Sequence, residues 1–495
     1  MKKALSFIKS IEGYKWAMAI TLFEVVYHFV LVLFIIFSRI NYRYDLEWME
    51  GASLIQVYRI STGQILYLKP SLAYIPMIYP PLYFYLSAVL AKITSISFLP
   101  LRIISFTSTL GCLLIIFYAV KNKTNSAVIG FVAAGSFVAT FKLGGAWFDI
   151  ARVDMLFIFL CLAGIYYLGK QTIQSSIIAG LLFSLSFLTK QTALPIFAIL
   201  AVSTFLLFRK QTLAFFGSFT IVTLSVFLYL NSSTNGWYQY YILSLPAIHQ
   251  IKWSIMATAL QSGFQVEAII IIVGFSPLIF GIRHIIKDRL CLYYYFAVIG
   301  LIGTSILARI NRGAYINTLV PAYAGLSIIF GIGIGWLMTH YDFKRFGKNW
   351  FQFILWLAIS IQFIWLGYNP FQQIPTQADR RAGDALVSKI QSASGNVLIP
   401  YHNYLSLLAG KKVNFHMVTF DEIRGTYSKK QPVLKDILTE FHSTPFSLLI
   451  MDLPDNLIQK NHCVNTQNII YESAATFVPV TGYSVRPTIQ YSDCP

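Results

Sequence analysis

Apolar stretches of about 17–22 residues recur along this chain from Trp16 onward, parted by short loops rich in lysine and arginine, and nothing constrains its folding more. A stretch of that kind reads as a bilayer-spanning helix, because a helix satisfies its backbone polar groups without water. Composition agrees: 56% of the 495 residues are hydrophobic, 16% aromatic and only 12% charged, a charge content too low for most soluble domains. The 38 Lys+Arg against 20 Asp+Glu read as loop anchors facing the cytoplasm and anionic headgroups, and no basic-aromatic nucleic-acid module accompanies them. The first apolar run, about Trp16 to Ser38, is too long for a signal-peptide core and lacks a small-residue cleavage site, so it reads as a retained span.

Loop charge decides the threading. Lys2, Lys3, Lys9 and Lys15 precede the first span, which puts the N-terminus in the cytoplasm and the cluster Asp45, Glu47 and Glu50 on the far side. The segment Pro81 to Ile96, roughly 15 residues between prolines, is short for a span. If it lies along the exoplasmic surface, the later spans fall near 101–120, 126–143, 155–169, 175–189, 193–208, 213–230, 266–282, 291–308, 317–338 and 350–368. The basic loops at Lys121/Lys123, Lys170, Arg209-Lys210, Arg283/Lys287/Arg289 and Lys344-Arg345/Lys348 then all face the cytoplasm. If it crosses, each of them flips outward. The first arrangement is favoured. It makes a polytopic α-helical membrane protein of about 11 transmembrane helices over residues 1–368, with an exoplasmic C-terminal part. In that topology the Asn122 sequon is cytoplasmic, and Asn231 heads an exoplasmic one.

From Asn369 to residue 495 the composition turns polar and mixed. Thr376 to Ala393 has a helical apolar period, and Val397–Ile399 and Ser447–Met451 are short apolar runs of buried-strand type. The expectation is a soluble α/β domain of roughly 125 residues, large enough for a core of its own. His402, His416 and His442 lack metal-ligand spacing and read as structural or surface residues. Cys112, Cys161 and Cys291 lie in apolar runs as packing residues. Cys463 and Cys494 either pair in an oxidising compartment or stay free thiols.

The charges left near span ends converge on the exoplasmic side. Asp149, Arg152 and Asp154 sit between two spans, Lys190 between two more, and Arg309 and Arg312 between a later pair. Taken singly, the cations read equally as headgroup anchors and the two aspartates as helix N-caps. Taken together with the first-loop acids, they read as a site opening between helices. Lys and Arg pair with a phosphate, and a carboxylate takes a proton from an attacking hydroxyl. Sugar transfer from a polyprenyl phosphate needs both parts.

An acid-Glu-Gly pattern at Met49-Glu50-Gly51 and its neighbours comes first, then Ser61-Thr62-Gly63-Gln64 with Tyr67. Tyr79-Pro80-Pro81-Leu82-Tyr83, Arg152-Val153-Asp154, Lys190-Gln191-Thr192 and Arg312-Gly313-Ala314-Tyr315 follow in order. Over about the first 370 residues this set resembles the GT-C superfamily of glycosyltransferases, near the protein O-mannosyltransferases and the lipid A aminoarabinose transferases. The resemblance implies an inverting membrane enzyme that uses a polyprenyl-phosphate-linked sugar, an exoplasmic active site and two surface-lying helices in the first loop. Its acceptor is a lipid, a glycan or a protein, and a divalent metal (Mg or Mn) is used by some members and not by others. The Asp expected as base falls at Met49 here, so the base is Glu50, or Asp45 or Glu47 reaching in from a longer turn, in that order. Tyr79 stands where several relatives have a phosphate-binding Lys, leaving Lys190 and Arg312, with Arg309 and Arg152, to bind the phosphate. Asp154, with Asp149, matches the acidic second loop on the acceptor side. The short loops and the resemblance point to a bacterial cytoplasmic membrane. A flippase of lipid-linked sugars, a polysaccharide polymerase or ligase, and an inactive GT-C-like scaffold remain the competing readings.

Overall fold

The computed structural model describes residues 11–248, 251–311, 313–340, 347–425, 432–459, 465–469, 471, 473 and 476–494. Arg312 and Cys463 lie outside the described residues, and with them the expected phosphate contact of Arg312 and the Cys463–Cys494 pairing.

Long apolar helices run back and forth between two ends of one bundle. Helix α1 (Ile11–Arg39) rises to a face where the first loop begins, and that loop carries two short helices, α2 (Glu50–Ser61) and α3 (Leu82–Ala91). Helices α4 (Phe98–Thr124), α5 (Ala127–Ala139), α6 (Asp154–Leu168), α7 (Ile173–Phe187), α8 (Ala193–Leu207) and α9 (Arg209–Ser233) then alternate in direction. So do α11 (Ala268–Lys287), α12 (Arg289–Arg309), α13 (Val320–His340) and α14 (Lys348–Trp365), after a short α10 (Met256–Phe264).

Contacts at the two ends define the faces. At one, Lys123 pairs with Asp288, Asn122 donates to the Tyr166 hydroxyl, and Gln211 donates to the Gln171 carbonyl. This is the basic end. At the other, Arg39 holds Asp149, the Leu82 N–H donates to the Leu188 carbonyl, and Lys190 reaches Asp154. Loops from across the sequence meet here, and this is the loop face.

Among the described residues, six helices are long and apolar enough to cross a membrane, Gly13–Arg39, Phe98–Thr124, Arg209–Ser233, Trp253–Lys287, Arg289–Arg309 and Ile316–His340. A pair bent by 54°, Lys348–Trp365 and Pro370–Ser392, makes up to seven. Of the other four expected spans, α5 is shorter than its apolar run 126–143, and α6, α7 and α8 match theirs in length to within a residue. Helix α5 has 13 residues and α6, α7 and α8 have 15 each, about 20–22 Å at ~1.5 Å per residue against a hydrocarbon core of ~30 Å. Their ends are taken up by turns that deliver side chains to the loop face, Ala139 to Val153 after α5 and Leu188 to Thr192 after α7. Helix α13 is nearly all buried inside the bundle, so its apolar sequence packs against protein. Helix α3, 10 residues long, lies at the loop face and anchors to α4 through Tyr83, whose hydroxyl donates to the Leu101 carbonyl.

Beyond residue 370 the chain folds over the loop face. Helix α15 (Gln377–Ser392) starts at a capping box between Thr376 and Asp379. Four strands, β1 (Val397–Leu398), β2 (Phe446–Met451), β3 (Asn465–Asn468) and β4 (Ile489–Cys494), form one sheet in the order β1-β2-β4-β3. β1 runs parallel to β2, with Val397 opposite Leu448, and β4 runs antiparallel to both β2 and β3. Short helices α16 (Tyr404–Leu408), α17 (Met417–Arg424) and α18 (Pro432–Ser443) flank it. The expectation of a separate core is corrected here. Leu398, Tyr404 and Leu449 belong to the same apolar cluster as Tyr44, Leu54 and Tyr67 of the first loop. The packing is close: a Cβ on Gly51 would lie 2.6 Å from the Tyr404 ring.

Candidate active site

A cavity of about 570 Å³ opens at the loop face between three walls. The first loop contributes Glu47, Trp48, Met49 and Tyr79, the bundle contributes Trp147, Arg152, Lys190, Tyr315 and Asn317, and the C-terminal region contributes Asp421, Glu422, Arg424 and Tyr483. The three walls come from parts of the chain far apart in sequence.

Glu47 is the first-loop acid that faces the cavity. Its Oε2 accepts the Met49 N–H at 3.2 Å and Nη1 of Arg152 at 3.1 Å. Burial pushes its carboxyl up to about 8, against the lowering effect of Arg152. Arg152 turns its other terminal nitrogen to the Tyr79 hydroxyl at 3.1 Å and lies over the Trp147 ring. Tyr79 is in turn held by Tyr67, whose hydroxyl donates to the Tyr79 carbonyl at 2.7 Å. Beside this group, Nζ of Lys190 is 2.6 Å from Oδ1 of Asp154, which also accepts from Asn317 at 3.1 Å. Asp154 is the first residue of α6, so the helix itself aims its carboxylate at the loop face.

The order of preference among the three first-loop acids changes. Glu50, expected first, is wholly buried away from the cavity with all its acceptor positions used. Oε1 takes Nε of Arg102 at 3.1 Å and the Ala151 N–H at 2.6 Å, and Oε2 takes the Leu46 N–H at 2.6 Å and Nη2 of Arg102 at 2.7 Å. No lone pair is left for a substrate proton. Asp45, expected second, points into the C-terminal region, where Tyr404 donates to Oδ1 and Oδ2 lies 2.7 Å from Nδ1 of His402.

Asp149, expected beside Asp154 on the acceptor side, is clamped by Arg39, with Nε donating to Oδ2 at 2.8 Å and both side chains fully buried. Its role is to join α1 to the turn after α5. Arg309 donates to the Ala314 carbonyl at 3.0 Å and so braces the turn before α13. Of the expected phosphate contacts, Lys190, Arg152 and Tyr79 line the same cavity.

Arg39 and Arg102, which clamp Asp149 and Glu50, are not among the residues expected from sequence. Their signal was present: each is a cation at the acidic end of an apolar run, against the charge rule followed elsewhere. Nor are Asp421, Arg424 and Tyr483, for which spacing holds no clue. Arg424 pairs with Asp455 and, at 2.6 Å, with Asp421, whose carboxyl burial pushes up to about 6. His402 and His416 are both buried structural residues. His402 sits between Asp45 and Asp452, at 2.7 and 2.9 Å, and the two carboxylates lift it to about 10 despite burial. His416 accepts the Val418 N–H and donates to the Trp48 carbonyl, and burial lowers it to about 3.

Among the described residues, no three His, Cys, Asp or Glu side chains converge as a metal cradle. The cavity acids Glu47 and Asp421 are each already paired with an arginine, and together with Glu422 they do not converge on one point, so these residues do not fit a divalent ion.

The fold is that of the GT-C membrane glycosyltransferases, and a family profile matches one segment of the chain. The profile of the dolichyl-phosphate-mannose-protein mannosyltransferase family matches residues 79–238, which include Tyr79, Arg152, Asp154 and Lys190. Among solved structures, the chain is similar to ArnT from Cupriavidus metallidurans bound to undecaprenyl phosphate. That match has a TM-score of 0.58 and 11% identity and covers 94% of this chain and 97% of ArnT. It is also similar to the archaeal oligosaccharyltransferase AglB from Archaeoglobus fulgidus in complex with an inhibitory peptide and a dolichol-phosphate, with TM-score 0.51 and 10% identity, covering 90% of this chain and 70% of that one. No curated protein sequence matches the chain.

Proposed function

We propose that this chain transfers a sugar from a polyprenyl-phosphate donor to a hydroxyl of a lipid, glycan or protein acceptor, with inversion, at the loop face of the membrane. The observation that carries this is the juxtaposition in one cavity of a carboxylate near its proton-exchange range, Glu47, with two cations from separate helix ends, Arg152 and Lys190. Glu47 takes the acceptor hydroxyl proton as the oxygen attacks the anomeric carbon and the bond to phosphate breaks. Lys190 and Arg152 stabilise the departing polyprenyl phosphate as its charge grows. Asp154 keeps Lys190 aimed at the cavity. The two structural neighbours bound to undecaprenyl phosphate and dolichol-phosphate support this donor class.

The same proposal takes residues 1–368 as the transferase unit, crossing a bacterial cytoplasmic membrane eleven times with its N-terminus inside. Residues 369–495 then lie on the outer face over the active site. Transfer of radiolabelled sugar from a panel of undecaprenyl-phosphate donors, in membranes holding wild type or Glu47→Gln, tests it. Transfer by wild type with a loss of at least about 100-fold in the variant is expected for a positioned base. Wild-type membranes that translocate the donor without transferring its sugar would make the chain a flippase.

A further inference from the structure

Val480 to Tyr483, 433 residues or more beyond Glu47, thread between the first loop and the turn after α5. Thr481 fastens them: its N–H donates to the Leu46 carbonyl, its hydroxyl donates to the Gly145 carbonyl, and it accepts Nε1 of Trp147 at 3.1 Å. Tyr483 closes the far end, its hydroxyl donating to the Gly313 carbonyl at 2.9 Å. Between them Gly482 has φ +81°, a backbone state that L side chains rarely adopt. A Cβ there would lie 2.7 Å from Cγ and 2.9 Å from Oε1 of Glu47, so only glycine lets the strap press on that carboxyl.

We infer that the Thr481-Gly482 strap is a positioning element for Glu47, so that the C-terminal region completes the active site within the same chain. This rests on Glu47 as the base. The strap closes the side of Glu47 left open by the first loop and by Arg152, keeps water from that side, and holds the carboxyl against the cavity. The charged groups around Glu47 are Arg152, Glu50 and Asp45, with the Met49 N–H. None belongs to the strap, so altering the strap changes hydration and position and leaves that charge set in place. A carboxyl freed into the cavity regains water and ionises at lower pH.

The test reads Glu47 directly. Infrared pH-difference spectra of purified full-length protein, with Glu47→Gln subtracted, isolate its carboxyl band, which is expected to titrate at about 8 in wild type. Gly482→Ala and Thr481→Val are expected to lower that midpoint by about one pH unit or more and to cut kcat about tenfold, with donor KM within about twofold. Thr481→Ser, which keeps the hydroxyl, is expected to behave as wild type. Undecaprenyl phosphate binding serves as the folding control, and Thr481→Val carries the test if Gly482→Ala does not fold. An unchanged Glu47 midpoint in a folded strap variant overturns the inference. Full activity of Glu47→Gln, in contrast, overturns the base assignment and is read in a separate experiment.

Discussion

Three acids within six residues divide into three jobs because burial and partners differ. Glu50 saturates its lone pairs on Arg102 and two backbone N–H groups, Asp45 ties the loop to His402, and only Glu47 faces the cavity. Two predictions belong at this scale. A base works deprotonated, and burial holds Glu47 near 8, so kcat/KM is expected to fall about tenfold per pH unit below 8 and to level off above it. A flat profile between pH 6 and 9 would remove Glu47 from that role. Glu50→Gln leaves the buried Arg102 charge half-compensated, at a cost of about 3–5 kcal/mol. Its thermal unfolding in detergent is expected well below wild type, whereas Glu47→Gln, beside a cavity, is expected to unfold close to it.

At the scale of elements, the turns after α5 and α7 matter more than the helices they end. They deliver Arg152 and Lys190 to one wall, while Asp154 and Asn317 come from the starts of α6 and the turn before α13. The first loop and the C-terminal region are joined by the Asp45–His402–Asp452 bridge, which is wholly buried at the imidazole. His402 is raised from 6.5 to about 10, so its stabilising contribution is complete below about pH 6.5 and is lost as pH climbs through 10. Hydrogen exchange of the amides around Asp45 and His402 is therefore expected to quicken between pH 7 and 10, beyond the intrinsic rate. The His402→Gln protein is expected to show fast exchange already at pH 7. Equal protection at both ends of that range would refute the bridge as a docking element.

At the scale of the molecule, the bundle has one basic end and one loop face, and every element of the cavity lies at the latter. The proposed orientation puts the basic end in the cytoplasm. Single cysteines at Lys123 or Lys210, in a background without the native ones, are expected to react with a membrane-impermeant thiol reagent only after the cytoplasmic side is opened. Cysteines at Ser95 or Ser388 are expected to react in intact cells. The reverse pattern would place the active site inside.

The membrane class, the two-faced charge pattern and the set of charged residues at one face are legible in the order of residues alone. These rest on local physics: run length against bilayer thickness, and the cost of a charge in hydrocarbon. The capped helix after Thr376 was legible for the same reason, since a capping box is a contact between near neighbours. The true length of α5 was not legible, because an apolar turn buried in protein has the same composition as a helix in lipid. Nor was the choice among Asp45, Glu47 and Glu50. Each is an acid in one short loop, and only partners 50 to more than 400 residues away, Arg102, Arg152, His402 and Gly482, decide which carboxylate is tied up and which is left facing the cavity.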